Sequence, residues 1–361
     1  MIKSKEQEKM QKSKNFELFN RPRRAYSRMI EDIKNAKKSI YLETYIYDDD
    51  RVGRLFRKVL ERKAKEGLEI KILVDAFGST AKKKFFKKLK EFGGEVRFFR
   101  DLYYTVRFFT MSQEIDHRKL LIIDNKISYL GSINITETCL NWRELVLRLT
   151  NGIAEEFTVS FMKIWDTKGN FNFKRMNKLI HQGYEIIQDT PAKLSNSAER
   201  NFVRLVNQAK KEVMVETPYF VPSWEVRRAL AKAARRGVKV RVVVPYISGL
   251  KTVDLIRESY MGEMWKNGVY VYYYQKSLHS KLLIIDDEFF MLGSSNIDYR
   301  SFIYDYNINV IGRNKEIIKA LKEHYNGSLA KSIPLDYGQW KSRPVLQRIG
   351  ELIMLTVRKY F

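Results

Sequence analysis

Hydrophobic and polar positions follow two rhythms along this chain. Short apolar, β-branched or aromatic runs alternate with stretches in which apolar residues recur every three or four positions, the pattern of buried strands between amphipathic helices. Ser39-Ile-Tyr-Leu-Glu-Thr-Tyr45 is the first such run, after a Lys-rich helical stretch. A helix from about Arg54 to Lys65 ends at Gly67, and Glu69-Ile-Lys-Ile-Leu-Val-Asp75 is the next strand. Strand, helix and strand in this order predict two parallel neighbours.

The unit returns further on. Glu212-Val-Met-Val-Glu-Thr217 precedes a helix from about Ser223 to Arg236, and Val238-Lys-Val-Arg-Val-Val-Val244 follows. Any two βαβ units look alike, so this similarity alone decides little. A third piece decides it. His117-Arg-Lys-Leu-Leu-Ile-Ile-Asp124 recurs as His279-Ser-Lys-Leu-Leu-Ile-Ile-Asp286, and after six intervening residues each copy reaches Gly131-Ser-Ile-Asn134 or Gly293-Ser-Ser-Asn296. Two copies of HxKxxxxDxxxxxxGSxN with identical spacing make the chain an internal duplication, its boundary between Thr150 and Asn201.

Each motif reads as a hairpin: an apolar strand through Ile123, a turn at Asp124-Asn125, and a second strand from Ile127 to Leu130. Period-two geometry sets His117 and Lys119 on one face, and His279 and Lys281 likewise. Asp124 and Asp286 lie an odd number of residues from their histidines, so they are expected to support the turn and not to carry protons. Ser132 and Asn134, with Ser294 and Asn296, can face what the histidines face. Imidazole, ammonium, hydroxyl and carboxamide suit a phosphoryl group. Doubling the set provides a nucleophile and an acid, the needs of a two-step phosphodiester displacement. Two ammonium groups already neutralise the phosphate, so no metal or other cofactor is expected. The two remaining histidines, His181 and His324, read as ordinary.

Composition bounds the partners. The chain has 361 residues, 67 Lys plus Arg against 42 Asp plus Glu, a net charge of +25, and 44% hydrophobic residues, which excludes a disordered basic tail. At about 150 residues per domain the length allows roughly two cores. The charge predicts a polyanionic partner, nucleic acid or an anionic membrane. The single Cys139 excludes a disulfide framework. The stretch 1–20 lacks the apolar run of a signal or span, and no run of about 18 apolar residues occurs anywhere, so a membrane-bound state would be peripheral.

At the paired motifs the sequence resembles the phospholipase D superfamily. Leu42-Glu-Thr-Tyr-Ile-Tyr-Asp48, Leu73-Val-Asp-Ala-Phe-Gly-Ser79, Thr217-Pro-Tyr-Phe-Val-Pro222 and Gly293-Ser-Ser-Asn-Ile-Asp-Tyr-Arg-Ser-Phe302 are most similar to bacterial cardiolipin synthases. The resemblance, over about residues 20–361, implies an α/β fold of two similar α/β/α halves sharing one active site at their interface. It also implies a covalent phosphohistidine, with His117 as the usual nucleophile and His279 as acid and then base, although the pseudo-symmetry leaves that order open. Lys119, Lys281, Asn134 and Asn296 would hold the phosphate, assisted by Ser132 and Ser294. Members of the family tend to place a histidine-orienting carboxylate after each GSxN. Glu144 fits in the first half; in the second the equivalent position is Asn307, with Asp305 nearby. Many such synthases begin with two membrane spans, unlike the stretch 1–20 here.

The expected organisation is a basic segment over 1–20, halves over 21–165 and 201–335 joined by a linker over 166–200, and an amphipathic helix over 336–361. In Val96–Met111, six aromatics and three Arg precede His117. This stretch is either ordinary core or, as we read Tyr103 to Met111, a lipid-facing mouth. In the C-terminal helix Val345, Ile349, Leu352, Ile353, Thr356 and Tyr360 share one side, to meet either lipid or the protein's own core. The expected activity is transfer of a phosphatidyl group between two phosphatidylglycerol molecules at the cytoplasmic face of the cell membrane, with glycerol released. The alternative is a phospholipase D-type phosphodiesterase or nuclease; nucleic acid is the less favoured partner.

Overall fold

The computed structural model describes residues 15–99, 114–166, 179–191 and 196–358. Residues 1–14, the expected mouth at Tyr103–Met111, residues 167–178 and 192–195 of the expected linker, and Tyr360 lie outside them.

The first half contains β1 (Phe16–Phe19), β2 (Ser39–Thr44), β3 (Glu69–Asp75), β4 (Glu95–Phe99), β5 (Ile115–Asp116), β6 (Leu120–Ile123), β7 (Ile127–Gly131) and β8 (Val146–Leu149). The second contains β9 (Leu179–His181), β10 (Tyr184–Asp189), β11 (Glu212–Glu216), β12 (Phe220–Val221), β13 (Lys239–Pro245), β14 (Tyr270–Tyr274), β15 (Leu282–Ile285), β16 (Phe289–Gly293), β17 (Ile297–Asp298), β18 (Asp305–Gly312) and β19 (Ser332–Pro334). Among the described residues the first sheet runs β1-β8-β7-β6-β2-β3-β4, and the second β19-β14-β13-β11-β15-β16-β18-β10-β9. From β4 to β1 the first sheet has the same order as β14 to β10 in the second, so the duplication includes the whole sheet.

The βαβ units form as their periodicity predicts: β2 pairs parallel with β3, and β11 with β13. These strands are largely apolar because both faces are covered. Leu120 and Ile122 point into a central core that also contains Leu282, Ile284, Ile308 and Val310 of the second half, together with helices Ala154–Trp165 and Lys315–Leu329. Leu121 and Ile123 point outward, into the layer capped by helices Pro22–Asn35 and Arg51–Lys65.

The boundaries between units shift. Phe16–Phe19, expected in a segment preceding the first half, pairs antiparallel with β8 inside its sheet. Within the expected linker, β10 pairs antiparallel with β18, and helix Ser197–Gln208 begins ahead of residue 201. Short mixed segments such as Phe-Glu-Leu-Phe become strands only when a neighbouring edge accepts their backbone groups.

Candidate active site

Both hairpins turn as their sequence suggests. Asp124 and Asn125 adopt φ of 53° and 57°, and Asp286 and Asp287 52° and 60°, the left-handed region that Asp and Asn tolerate best after glycine. The Asp124 carboxylate accepts N–H bonds from Lys37 (2.8 Å), Lys38 (2.7 Å) and Ser39 (3.0 Å), tying the turn to the start of β2. Asp286 does the same with Lys210 (2.5 Å), Lys211 (2.8 Å) and Glu212 (2.7 Å) at β11. Both carboxylates lie at the far end of the motif strand from the histidine.

The motif glycines are required by a close approach of backbone. A Cβ at Gly131 would lie 2.2 Å from the Leu145 carbonyl oxygen, and one at Gly293 2.2 Å from that of Ile308. Immediately beyond, Ser132 N–H bonds the Leu145 carbonyl and Ser294 N–H that of Ile308, each at 3.0 Å. Each GSxN is thereby clamped beside the residue that follows Glu144 or Asn307.

The halves meet by exchanging backbone bonds around the histidines. β5 pairs parallel with the start of β18, and His117 N–H donates to the Tyr306 carbonyl at 3.0 Å. Reciprocally, His279 N–H donates to the Arg143 carbonyl at 2.8 Å. Tyr306 precedes Asn307, and Arg143 precedes Glu144, so each histidine is set beside the orienting residue of the other half. His279 Nδ1 lies 3.0 and 3.2 Å from the two Glu144 carboxylate oxygens. His117 Nδ1 lies 3.3 Å from Asn307 Oδ1 and 3.0 Å from the Ser294 carbonyl. Glu144 of the first half thus lies on His279 of the second, and Asn307 of the second on His117 of the first. Spacing along one chain cannot reveal a partner supplied by docking.

Both pairs are fixed from behind. The Asn307 amide nitrogen donates to the Ser301 carbonyl at 3.0 Å, so its oxygen faces the ring, where it also accepts the Ser294 hydroxyl at 2.7 Å. Glu144 accepts the Ser132 hydroxyl, while the Ser132 oxygen accepts Leu145 N–H at 2.9 Å. Ser132 and Ser294 thus hold the orienting groups. His117 Nδ1 faces only acceptors and carries its proton, leaving the Nε2 lone pair available. Asp305, the other residue near the second orienting position, is held by Arg300 at 3.5 Å, and burial pushes its carboxyl well above the usual range.

Lys119 Nζ donates to the His117 carbonyl at 2.6 Å, and Lys281 Nζ to the His279 carbonyl at 2.7 Å. Burial lowers Lys119 to about 7 and holds Lys281 well below the usual lysine range, with the Lys119 charge adding to the second effect. Burial and both ammonium charges push His117 well below a normal histidine. Burial also lowers His279, but the Glu144 carboxylate opposes that. Against its own burial, Glu144 is brought below the usual carboxylate range by His279.

Asn134 Oδ1 accepts Ile46 N–H at 3.2 Å, and the backbone N–H of buried Asn296 donates to the Ser301 hydroxyl oxygen at 3.1 Å. Two aromatic residues that motif reasoning did not assign to the site flank the imidazoles. Tyr45 meets His117 edge-on at 5.2 Å between ring centres, and Trp142 meets His279 at 5.4 Å. The Lys119 ammonium lies 5.3 Å from the Tyr45 ring centre. The available signal was position, since Tyr45 directly follows Glu43-Thr44, which matches Glu216-Thr217 in the second half, and Trp142 lies two residues before Glu144. His279 also lines a pocket of about 330 Å³ with Trp142, Tyr219, Tyr246, Lys276 and Leu278.

His324 and His181 remain apart from this constellation. His324 Nε2 lies 2.7 Å from buried Glu216, and His181 Nε2 lies 3.1 Å from the Asn151 carbonyl. Among the described residues, no group of three or more His, Cys, Asp or Glu is placed to hold a metal.

One two-histidine, two-lysine site built across a duplicated α/β fold defines an enzyme of the phospholipase D superfamily. Residues 29–165 and 202–328 match the family described as "Cardiolipin synthase, PLD-like domain", and the chain belongs to that family. It is 31% identical over 354 residues to a cardiolipin synthase of Listeria welshimeri, covering 93% of this chain and 73% of the relative. It is 30% identical over 352 residues to one of Clostridium perfringens, covering 92% and 74%. The major cardiolipin synthase of Bacillus subtilis is 29% identical, with 91% and 71% covered. A phosphatidylserine synthase from Haemophilus influenzae shares the fold, with a TM-score of 0.69 at 15% identity over 96% of this chain and 93% of that one.

Proposed function

We propose that the protein is a cardiolipin synthase-type phosphatidyltransferase using phosphatidylglycerol as donor and acceptor. The single observation that carries the assignment of roles is the unequal pairing of two otherwise equivalent histidines. His279 has a carboxylate on Nδ1, which favours imidazolium, and His117 has a carboxamide, which does not. The ring without a carboxylate suits the nucleophile, and the ring whose protonated form Glu144 supports against burial suits the acid.

His117 Nε2 attacks phosphorus of the first phosphatidylglycerol, forming the P–N bond as the P–O bond to glycerol breaks. His279 gives its Nε2 proton to the departing glycerol oxygen. A hydroxyl of the second phosphatidylglycerol then transfers its proton to His279 and attacks phosphorus, which breaks the P–N bond, forms cardiolipin and regenerates both rings. Lys119 and Lys281 neutralise the phosphoryl oxygens, and the phosphate is the counter-charge that restores two ammonium groups otherwise depressed by burial. Asn134 and Asn296 contribute polar contacts around the phosphate. The pocket beside His279 suits the leaving and entering alcohols. Water in place of the second lipid gives hydrolysis by the same steps. The names of the relatives and the excess of basic residues support a peripheral enzyme on the anionic cytoplasmic face of the cell membrane; nucleic acid is the less favoured partner.

Purified protein with phosphatidylglycerol liposomes, its products separated and compared with His117→Ala, tests the proposal. Cardiolipin and glycerol are expected from the native protein alone. Glycerol or another headgroup released with no cardiolipin would replace transfer by hydrolysis.

A further inference from the structure

Helix Val345–Thr356 is docked on the second half with its apolar side turned outward. Val345, Leu346, Ile349, Leu352 and Ile353 are 67%, 82%, 48%, 66% and 62% exposed. At 100° per residue they occupy an arc of roughly 120°. The inward side carries Glu351, 2% exposed, whose carboxylate accepts from Arg343 at 2.7 and 2.6 Å and from Gln347 at 3.2 Å. Met354 and Leu355 pack beside it against the outer core. Arg343 lies 3.8 Å over the Trp340 ring, and Trp340 Nε1 donates to the Glu258 carbonyl at 2.8 Å. The Trp340 ring lies against Gly262, where a Cβ would be 2.1 Å away. This seat buries an ion pair and leaves five large apolar side chains in water, the reverse of what folding alone favours.

We infer that this outward face is a preformed membrane foot that enters the surface of an anionic bilayer. It rests on the peripheral-membrane part of the proposed function and specifies the element that makes contact. Charge selects the occupant. Exposed Lys341 and Arg348 accompany the face, and the only acid between 337 and 358 is the buried Glu351. Cations bordering an apolar stripe complement acidic headgroups above acyl chains. A second copy is the poorer occupant, because two chains of +25 repel. Helix Lys251–Lys266, into which Trp340 wedges, begins directly after exposed Tyr246, Ile247 and Leu250, and the first two line the pocket beside His279. The foot and the rim of the pocket therefore share one rigid support.

Flotation of the full chain with phosphatidylcholine vesicles, with and without phosphatidylglycerol, tests this. The native protein is expected to float only with phosphatidylglycerol, and L346E/I349E to lose at least ~10-fold in partitioning with unchanged circular dichroism. Cys139 is buried, so Leu346→Cys accepts an environment-sensitive fluorophore selectively, and a blue shift is expected on mixed vesicles. Native-like flotation of L346E/I349E, no shift at position 346, or a native dimer that L346E/I349E dissociates would overturn the inference. None of these measurements needs turnover. Protein that floats through this helix but makes no cardiolipin would end the transferase reading and leave the foot intact.

Discussion

Asn307→Asp changes one atom of the site and tests the division of labour between the histidines. It places a carboxylate where Asn307 Oδ1 now lies, 3.3 Å from His117 Nδ1. At that distance and an effective dielectric near 20, the attraction to an imidazolium is ~5 kcal/mol before desolvation and reorganisation. Carboxylates in such contact usually move a partner by about 1–3 pKa units, or ~1.4–4 kcal/mol. The direction is upward, from a histidine now held well below normal by burial and two ammonium groups. A nucleophile must be neutral, so the acidic limb of kcat/KM should move up by about 1–3 pH units, while the rate above that limb changes less. The assay is kcat/KM against pH for glycerol release from dispersed phosphatidylglycerol. A shift of the alkaline limb instead would make His117 the acid and reverse the mechanism; no shift of either limb would show that the Nδ1 partners do not govern protonation.

Four further outcomes follow from the same geometry. Glu144→Gln removes the charge that opposes the lowering of His279, so the alkaline limb of the same profile should move down; losing one partner of this buried pair should also cost about 3–5 kcal/mol in chemical denaturation. Lys119→Met should abolish detectable transfer yet raise the melting temperature. The folded pKa of Lys119 is depressed from 10.5 to about 7, so the unfolded chain binds more protons between those values and native stability rises with pH across that window; the mutant's advantage, up to about 5 kcal/mol, should be largest below pH 7 and vanish above 10.5. Gly131→Ala forces a methyl against the Leu145 carbonyl and should destabilise by about 2–4 kcal/mol, read from denaturant midpoints. Asp124→Ala leaves three N–H groups at β2 without their acceptor and should cost about 1–3 kcal/mol while kcat of the folded fraction changes less than fivefold.

Whatever depends on neighbours along the chain was legible before the structure. Strands β2, β3, β11 and β13 announce themselves as apolar runs between helical stretches, and the left-handed turns at Asp124 and Asp286 announce themselves as residues that tolerate them. The repeated His117 and His279 motifs needed only counting, because identical spacing places identical groups on one strand face. Segments whose structure depends on a distant edge were not legible: Phe16–Phe19 and Tyr184–Asp189 lack a strong pattern of their own and are strands because β8 and β18 pair with them.

By itself, then, the sequence determined a duplicated α/β chain carrying two His-Lys sets, since periodicity and spacing are local properties. Only the tertiary structure decided that the two sets share their supports. Pairing of β5 with β18, and of Arg143 with Leu278, delivers Glu144 to His279 and Asn307 to His117, so a carboxylate in one half and a carboxamide in the other distinguish rings that are equivalent in the motif. It also decided which side of helix Val345–Thr356 faces solvent. An amphipathic pattern reports that two faces differ, but the seat built by Trp340, Arg343 and Glu351 selects the one that is buried, and that selection is a long-range packing energy that no local window of sequence contains.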